Sequence, residues 1–243
     1  MFNWLRKKDI TPAGLLLHTD IHSHLLPQLD DGVSTFEEAE AIVLMFKKLG
    51  YQKIITTPHV MSDAYRNTSE NILAQCALLN QHLKQKNIDI PVSAAAEYYL
   101  DEHLFASVER GDKLLTFGDQ YLLLETNFLT EPLNFKSFIF MAQTSGYRVV
   151  LAHPERYLYL QSDLKKANDL LDRGVYFQVN ISSLTGYYAL AAQKTARKLI
   201  DARAVHFLGS DCHHLQHIAR IEEAQRSSLF NKAVALPLLN TSL

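Results

Sequence analysis

The chain has 243 residues, of which 47% are hydrophobic and 21% charged, an ordinary globular composition with length enough for one large α/β domain. Its formal net charge of −2 supplies no global basic field, which argues against nucleic-acid binding. Two cysteines, Cys76 and Cys212, are too few for a disulfide framework, and no apolar stretch approaches the roughly 18 residues of a membrane span.

In chain order, Met1 to Ile10 carries Arg6, Lys7 and Lys8 with no apolar signal region after them, so the expectation is a cytoplasmic, reduced protein. Residues 1–14 read as a terminal arm. Leu15-Leu16-Leu17 begins the first apolar run, which ends in Asp20-Ile21-His22-Ser23-His24. In an extended strand His22 and His24 face one side together, and two imidazoles so placed can share a divalent cation. Taken alone, His-x-His equally fits two surface histidines near a turn.

Ser34 with Glu37 predicts a capping box, and Phe36, Ala39, Ile42, Val43, Phe46 and Leu49 follow at helical spacing up to Gly50. Lys53 to Thr57 reads as a strand ending at Pro58-His59. A helix over 69–86 buries Ile72, Cys76, Leu79 and Leu83. Pro91 to Ala96 is a strand ending in Glu97, and Asp101 to Arg110 a helix closed by Gly111. Tyr121 to Leu124 is a buried strand ending in Glu125, after which Asn134 is positioned to cap a helix. Arg148 to Ala152 leads into His153-Pro154-Glu155-Arg156. A helix over 163–172, a strand over 175–179 and a helix over 189–203 follow. Val205 to Leu208 is the last strand, ending in Gly209-Ser210-Asp211-Cys212-His213-His214. One more helix, through Ile218 and Ile221, leaves a mixed tail over 228–243.

Seven strand-then-helix units imply parallel pairing in an open sheet or a closed barrel, within a single domain over 1–243. No glycine-rich loop follows the first strand, so neither dinucleotide nor P-loop binding is indicated. The strand ends favour the barrel. His22, His24, His59, Glu97, Glu125, His153, Asp211 and His213 all lie there, and only in a barrel do those ends ring one face. Glu125 directly after Leu122-Leu123-Leu124, and Glu97 after three alanines, would be costly carboxylates unless paired or metal-bound. Imidazole with carboxylate suits Zn²⁺, Mn²⁺ or Fe, and so many donors exceed the needs of one tetrahedral ion. Clustered ions can hold a hydroxide and clamp an oxyanion, which calls for a charged substrate. Arg156, three residues past His153, is placed for a forked phosphate contact. Arg66, past His59, is a second candidate, evenly balanced against an ordinary solvated loop arginine. Neither cysteine begins a Cys-x5-Arg cradle and no Gly-x-Ser-x-Gly elbow is present, so the nucleophile is expected to be metal-bound hydroxide.

At these residues the chain resembles the polymerase-and-histidinol-phosphatase (PHP) family, and within it the bacterial metal-dependent protein-tyrosine phosphatases of capsule and exopolysaccharide loci. The matching stretches are Asp20 to His24, Asp30-Asp31-Gly32, Thr57-Pro58-His59, Ala96-Glu97-Tyr98, Leu124-Glu125, His153 to Tyr157, Asn180 to Gly186 and Gly209 to His213. Together they span about 17–214. The resemblance implies a distorted (βα)7 TIM-like barrel holding three divalent ions, with manganese first and iron, zinc or magnesium as alternatives. It implies one ion on His22, His24, Glu97 and Asp211, a second on Glu97, Glu125 and His153, and a third on His59 and His213 with Asp30 or Asp31. Tyr188 and Ala189 stand where the family pattern leads one to expect a glycine after Tyr187.

The activity implied is hydrolysis of phosphotyrosine on protein, with a bacterial tyrosine kinase of exopolysaccharide synthesis as partner. The expected chemistry is in-line attack of bridging hydroxide, with Arg156 and the ions bearing the phosphoryl charge and Asp211 or a metal-bound water as the source of any proton. The alternative is a small-metabolite phosphatase, such as one for histidinol phosphate, using the same ions. A phosphodiesterase is disfavoured by charge. A C–N hydrolase is disfavoured by Glu125, where such barrels commonly use lysine. An inactive binding module is disfavoured by the intact donor set.

Overall fold

The structure, a computed structural model, describes residues 17–243; the terminal arm and Leu15-Leu16 of the expected first strand lie outside the described residues. All strand pairing in the two sheets is parallel. In the first sheet, β1 (Thr19–Asp20) pairs with β2 (Lys53–Thr56), and β2 pairs with β4 (Val92–Ala94). In the second, β3 (His59–Val60) is followed by β5 (Glu97–Tyr99), β6 (Tyr121–Glu125), β7 (Arg148–Ala152), β8 (Tyr176–Asn180) and β9 (Phe207–Gly209). Short helical crossovers leave strands close in sequence side by side.

Two of the expected strands are interrupted. Pro58, which has no N–H to give, separates β2 from β3, and Ala95-Ala96 separates β4 from β5. Backbone bonds continue across both breaks, from Thr57 N–H to the Ser23 carbonyl at 2.7 Å and from Glu97 N–H to the Pro58 carbonyl at 3.0 Å. The interruption moves His59 and Glu97 into the second sheet, opposite one another in register.

The sheet edges meet again at the ends of the chain. Asp211 N–H donates to the His22 carbonyl at 2.8 Å and His24 N–H to the Cys212 carbonyl at 2.9 Å. Asp20 accepts from both the backbone N–H and the hydroxyl of Ser210, at 2.8 and 2.9 Å. The supposed tail completes the seam. α9 (Ser228–Val234) packs Leu229 and Phe230 inward, and buried Asn240 donates to the Thr19 and Leu208 carbonyls while accepting from Leu208 N–H. One amide side chain thus does the work of a missing length of strand.

Between strands run α1 (Phe36–Lys48), α2 (Ser69–Gln85), α3 (Glu102–Arg110), α4 (Phe135–Thr144), α5 (Leu158–Ser162), α6 (Leu164–Asp172) and α7 (Leu190–Asp201), and α8 (Leu215–Gln225) follows the last strand. The α1 stripe of Ala39, Ile42, Val43 and Phe46 is buried, as its spacing predicts. Its cap lies one residue later than expected: Thr35, not Ser34, accepts from the Glu38 backbone, and the Glu38 carboxylate accepts from Ser34 N–H at 2.7 Å. Asn134 makes no side-chain cap, and Phe135 N–H turns to the Pro132 carbonyl instead. A large core joins helices to the outer strand faces. Ile21, Ile55, Leu123, Val150 and Phe207 form a separate inner cluster beneath the strand ends.

Candidate metal centre

Every strand end named above delivers its polar residue to one cup, which has a volume of about 410 Å³ and includes His59, Glu125, His153, Arg156, Asp211 and His213 in its lining. Glu97 lies at its floor, fully buried, and its two oxygens divide the site. Oε2 is 3.1 Å from His22 Nε2, 3.5 Å from His24 Nε2 and 3.2 Å from His59 Nδ1. Oε1 is 3.2 Å from His153 Nε2, which lies 3.6 Å from Glu125. Asp211 Oδ1 stands 3.5 Å from both His22 and His24 Nε2, and those two nitrogens are 3.3 Å apart. Donor atoms held about 2.0–2.1 Å from a tetrahedral ion are spaced by roughly 3.3 Å. Four groups among the described residues are therefore already at ligand spacing, and two of them, His22–His24–Asp211 and His22–Glu97–His153, are fully buried.

Asp30 and Asp31 separate clearly. The Asp30 carboxylate is buried, accepts from His24 Nδ1 at 2.7 Å and from His59 backbone N–H at 2.9 Å, and so orients the His24 imidazole while fixing the main chain at His59. Asp31 instead reaches toward His213 and His59, at 3.5 and 3.7 Å, in a group with His24. The turn needs Gly32: a Cβ there would lie 2.2 Å from the His24 carbonyl oxygen and 2.7 Å from its Cβ. Gly209 meets the same demand on the other side, where a Cβ would come within 2.7 Å of both His22 Cβ and the Gln178 amide.

Backbone conformation aims two more of these side chains. His153 and Asp211 both sit at positive φ, 35° and 53°, which Asp and His tolerate better than most residues but which still costs energy. In consequence each turns its side chain sharply inward at the strand end.

Electrostatics follow from burial and neighbours. Burial works against the charged form of His22, yet the facing Glu97 and Asp211 outweigh it and push its pKa up to about 9. For His153 burial and the Arg156 charge act together and push it down to about 4, leaving a neutral imidazole. Burial also drives the Glu125 carboxyl upward, with the Glu97 and Asp211 charges adding to it. Glu97 and Asp211 are driven the other way by their histidine partners, despite burial. Three acids and five imidazoles in one largely buried cluster are a donor set for cations, and the clustered carboxylates are compensated when ions are bound.

Sequence reasoning missed the residues that hold this set in place. His22 Nδ1–H donates to Gln178 Oε1 at 2.8 Å, which turns the Nε2 lone pair into the cup. Gln178 in turn donates to Asn180, and Asn180 to Asp211 Oδ2 at 2.7 Å. Their signal was available: Gln178 and Asn180 alternate on one face of an otherwise apolar strand. Tyr188 donates to the same Asp211 oxygen at 3.1 Å and lays its ring 4.1 Å from the Arg156 guanidinium. Phe128 covers the other side at 4.8 Å, so Arg156 is held between two aromatic rings with Nη1 on Asp211. Arg66 is not brought to the cup; it is exposed and donates to the Ser62 carbonyl of its own loop. Cys212 is fully buried in the core, facing away from the donors.

No helix among the described residues is long and apolar enough to cross a membrane. YwqE, a tyrosine-protein phosphatase of Bacillus subtilis, is 27% identical over 201 residues, covering 81% of this chain and 78% of that protein. CpsB, a tyrosine-protein phosphatase of Streptococcus pneumoniae, is 26% identical over 201 residues, covering 81% and 83%. A crystal structure from work on these two metal-dependent tyrosine phosphatases matches with a TM-score of 0.78 at 25% identity, over 91% of this chain and 94% of that one. The CpsB/CapC capsular polysaccharide synthesis family matches residues 18–230, and the chain belongs to that family.

Proposed function

We propose that this chain is a metal-dependent phosphatase that hydrolyses phosphotyrosine on protein, with a bacterial tyrosine kinase of a capsule locus as its substrate and partner in the cytoplasm. One observation carries the reading: Glu97, Glu125 and Asp211, from three separate strand ends, converge among five imidazoles in a cup that also presents an arginine. The names of the curated relatives support the substrate class. The backbone bonds between the β1 and β9 ends support reading the two sheets as one distorted (βα)7 barrel within a single domain.

In this reading three divalent ions, manganese first, are held by His22, His24, Glu97 and Asp211; by Glu97, Glu125 and His153; and by His59, His213 and Asp31. When bound, such ions lower the pKa of water toward neutrality and counter phosphoryl charge. Arg156 meets the phosphoryl oxygens with the N–H groups that make no protein hydrogen bond among the described residues. Its aromatic sandwich and its bond to Asp211 hold the guanidinium plane fixed, so little entropy is lost on binding the anion. Arg156, Asn180 and Tyr188 all donate to Asp211 Oδ2, which keeps that carboxylate ionised with Oδ1 toward the histidines. Asp211 is thereby a ligand and not the proton donor. The tyrosine leaves as a phenolate of pKa near 10, which needs far less proton assistance than an alkoxide.

The test is hydrolysis of para-nitrophenyl phosphate, a phosphotyrosine peptide and histidinol phosphate by chelator-treated protein, with and without added Mn²⁺. Metal-dependent turnover of the two aryl esters, lost in His22→Ala and His153→Ala, is expected. Turnover of histidinol phosphate alone would overturn the substrate reading, and activity indifferent to chelation would overturn the metal reading.

A further inference from the structure

The cup does not end at its rim. Its wall of His213, His214 and His217 is also one wall of a groove of about 840 Å³, whose other side is the first two turns of α1 and the residues leading into them. The groove offers apolar contact through Leu215 and Tyr187, which are 49% and 44% exposed. Its charged lining is acidic. Glu38 is engaged with Ser34 N–H, whereas Glu37 is exposed and forms no ion pair among the described residues.

A tyrosine whose phosphate lies among the strand-end donors must leave its main chain at the mouth of the cup, where this groove begins. A free metabolite has no such need. A second exposed apolar patch, around Leu129, Leu133 and Leu158, shares no lining residue with the cup.

We propose that the α1–α8 groove seats the polypeptide on one side of the phosphotyrosine and selects segments that carry lysine or arginine together with an apolar side chain. This rests on the phosphotyrosine reading above and adds to it a sequence preference and the surface that sets it. Glu37 supplies the charge selection, and Leu215 with Tyr187 the apolar contact.

The experiment compares kcat/KM for para-nitrophenyl phosphate and for two phosphotyrosine peptides that differ only in having lysines or glutamates three and four positions from the phosphotyrosine. The lysine peptide is expected to be favoured by about two- to fivefold, the range of an exposed ion pair, and less so as salt rises. Glu37→Lys is expected to invert that preference and Glu37→Gln to abolish it, both leaving para-nitrophenyl phosphate turnover within about twofold. Leu215→Ala lowers turnover of both peptides, and Leu133→Ala lowers neither. An unchanged peptide ratio in Glu37→Lys, or loss of peptide turnover in Leu133→Ala instead of Leu215→Ala, overturns the groove. Failure of every phosphotyrosine peptide, with histidinol phosphate turned over, brings down the phosphotyrosine reading itself and the groove with it.

Discussion

Arg156 donates from Nη1 to Asp211 Oδ2 across 2.9 Å, so the guanidinium that lines the cup is braced on a carboxylate whose other oxygen faces His22 and His24. A lysine cannot span both duties, because its ammonium is a point donor without the guanidinium fork. Arg156→Lys and Arg156→Ala are each expected to lower kcat/KM for an aryl phosphate by about a hundredfold, the scale of losing one anion-stabilising donor, with metal content retained. Steady-state kinetics alongside elemental analysis checks both halves.

Glu97 sets one oxygen against His22 and the other against His153, and so touches donor groups on both sides of the cup. Replacing it with glutamine removes a charge that His22, His59 and His153 all face. Glu97→Gln is expected to lose bound metal and roughly a thousandfold in kcat, corresponding to several kcal/mol of charge stabilisation. Full occupancy with wild-type turnover would count against its bridging place.

Tyr188 acts through two different features, and two variants separate them. Tyr188→Phe keeps the ring over Arg156 but removes the hydrogen bond to Asp211, so weaker Mn²⁺ binding, by about tenfold, is expected with KM little changed. Tyr188→Leu also removes the stacking face, and KM and inhibition by inorganic phosphate should then weaken together. Metal titration and phosphate inhibition read the two effects apart.

Glu155 is fully buried, with one carboxylate oxygen accepting from Asn180 N–H and Ser183 while the other has no partner. Burial pushes its pKa up to about 7, above the ordinary 4.5. A carboxyl whose folded pKa is raised contributes its stability below the unfolded pKa and loses it as pH climbs through the folded one. Chelator-treated protein should therefore lose roughly 3 kcal/mol between pH 4.5 and 7.5 from this group. Glu155→Gln should flatten that stretch of the denaturation profile; an unchanged slope would exclude Glu155 as its source.

Arg66 carries the opposite expectation. It lies on the surface, bonded within its own loop, and Arg66→Ala should leave kcat/KM within about twofold.

Much of this site was legible in the sequence because it follows a rule of position. A parallel barrel-like sheet gathers its strand ends, so His59, Glu125 and His153 announce themselves by interrupting apolar runs. Asp30 and Asp31 could not be told apart in that way, since their roles depend on how Gly32 lets the turn pack against the His24 backbone. Tyr188 was hidden because its neighbours in space, Arg156 and Asp211, are brought together only by the fold. The interruption of the second and third strands was equally invisible in composition, although Pro58 marks one of the two breaks. The C-terminal segment misled for a related reason. Nothing in Leu239-Asn240-Thr241 signals a strand, yet Asn240 satisfies the seam that β1 and β9 leave open.

Anomalous diffraction from crystals grown with Mn²⁺ tests the central claim most directly. Strong peaks are expected inside the cup, one between His22, His24, Glu97 and Asp211 and another between Glu97, Glu125 and His153. Peaks confined to other parts of the surface, from protein that still hydrolyses phosphotyrosine, would contradict it.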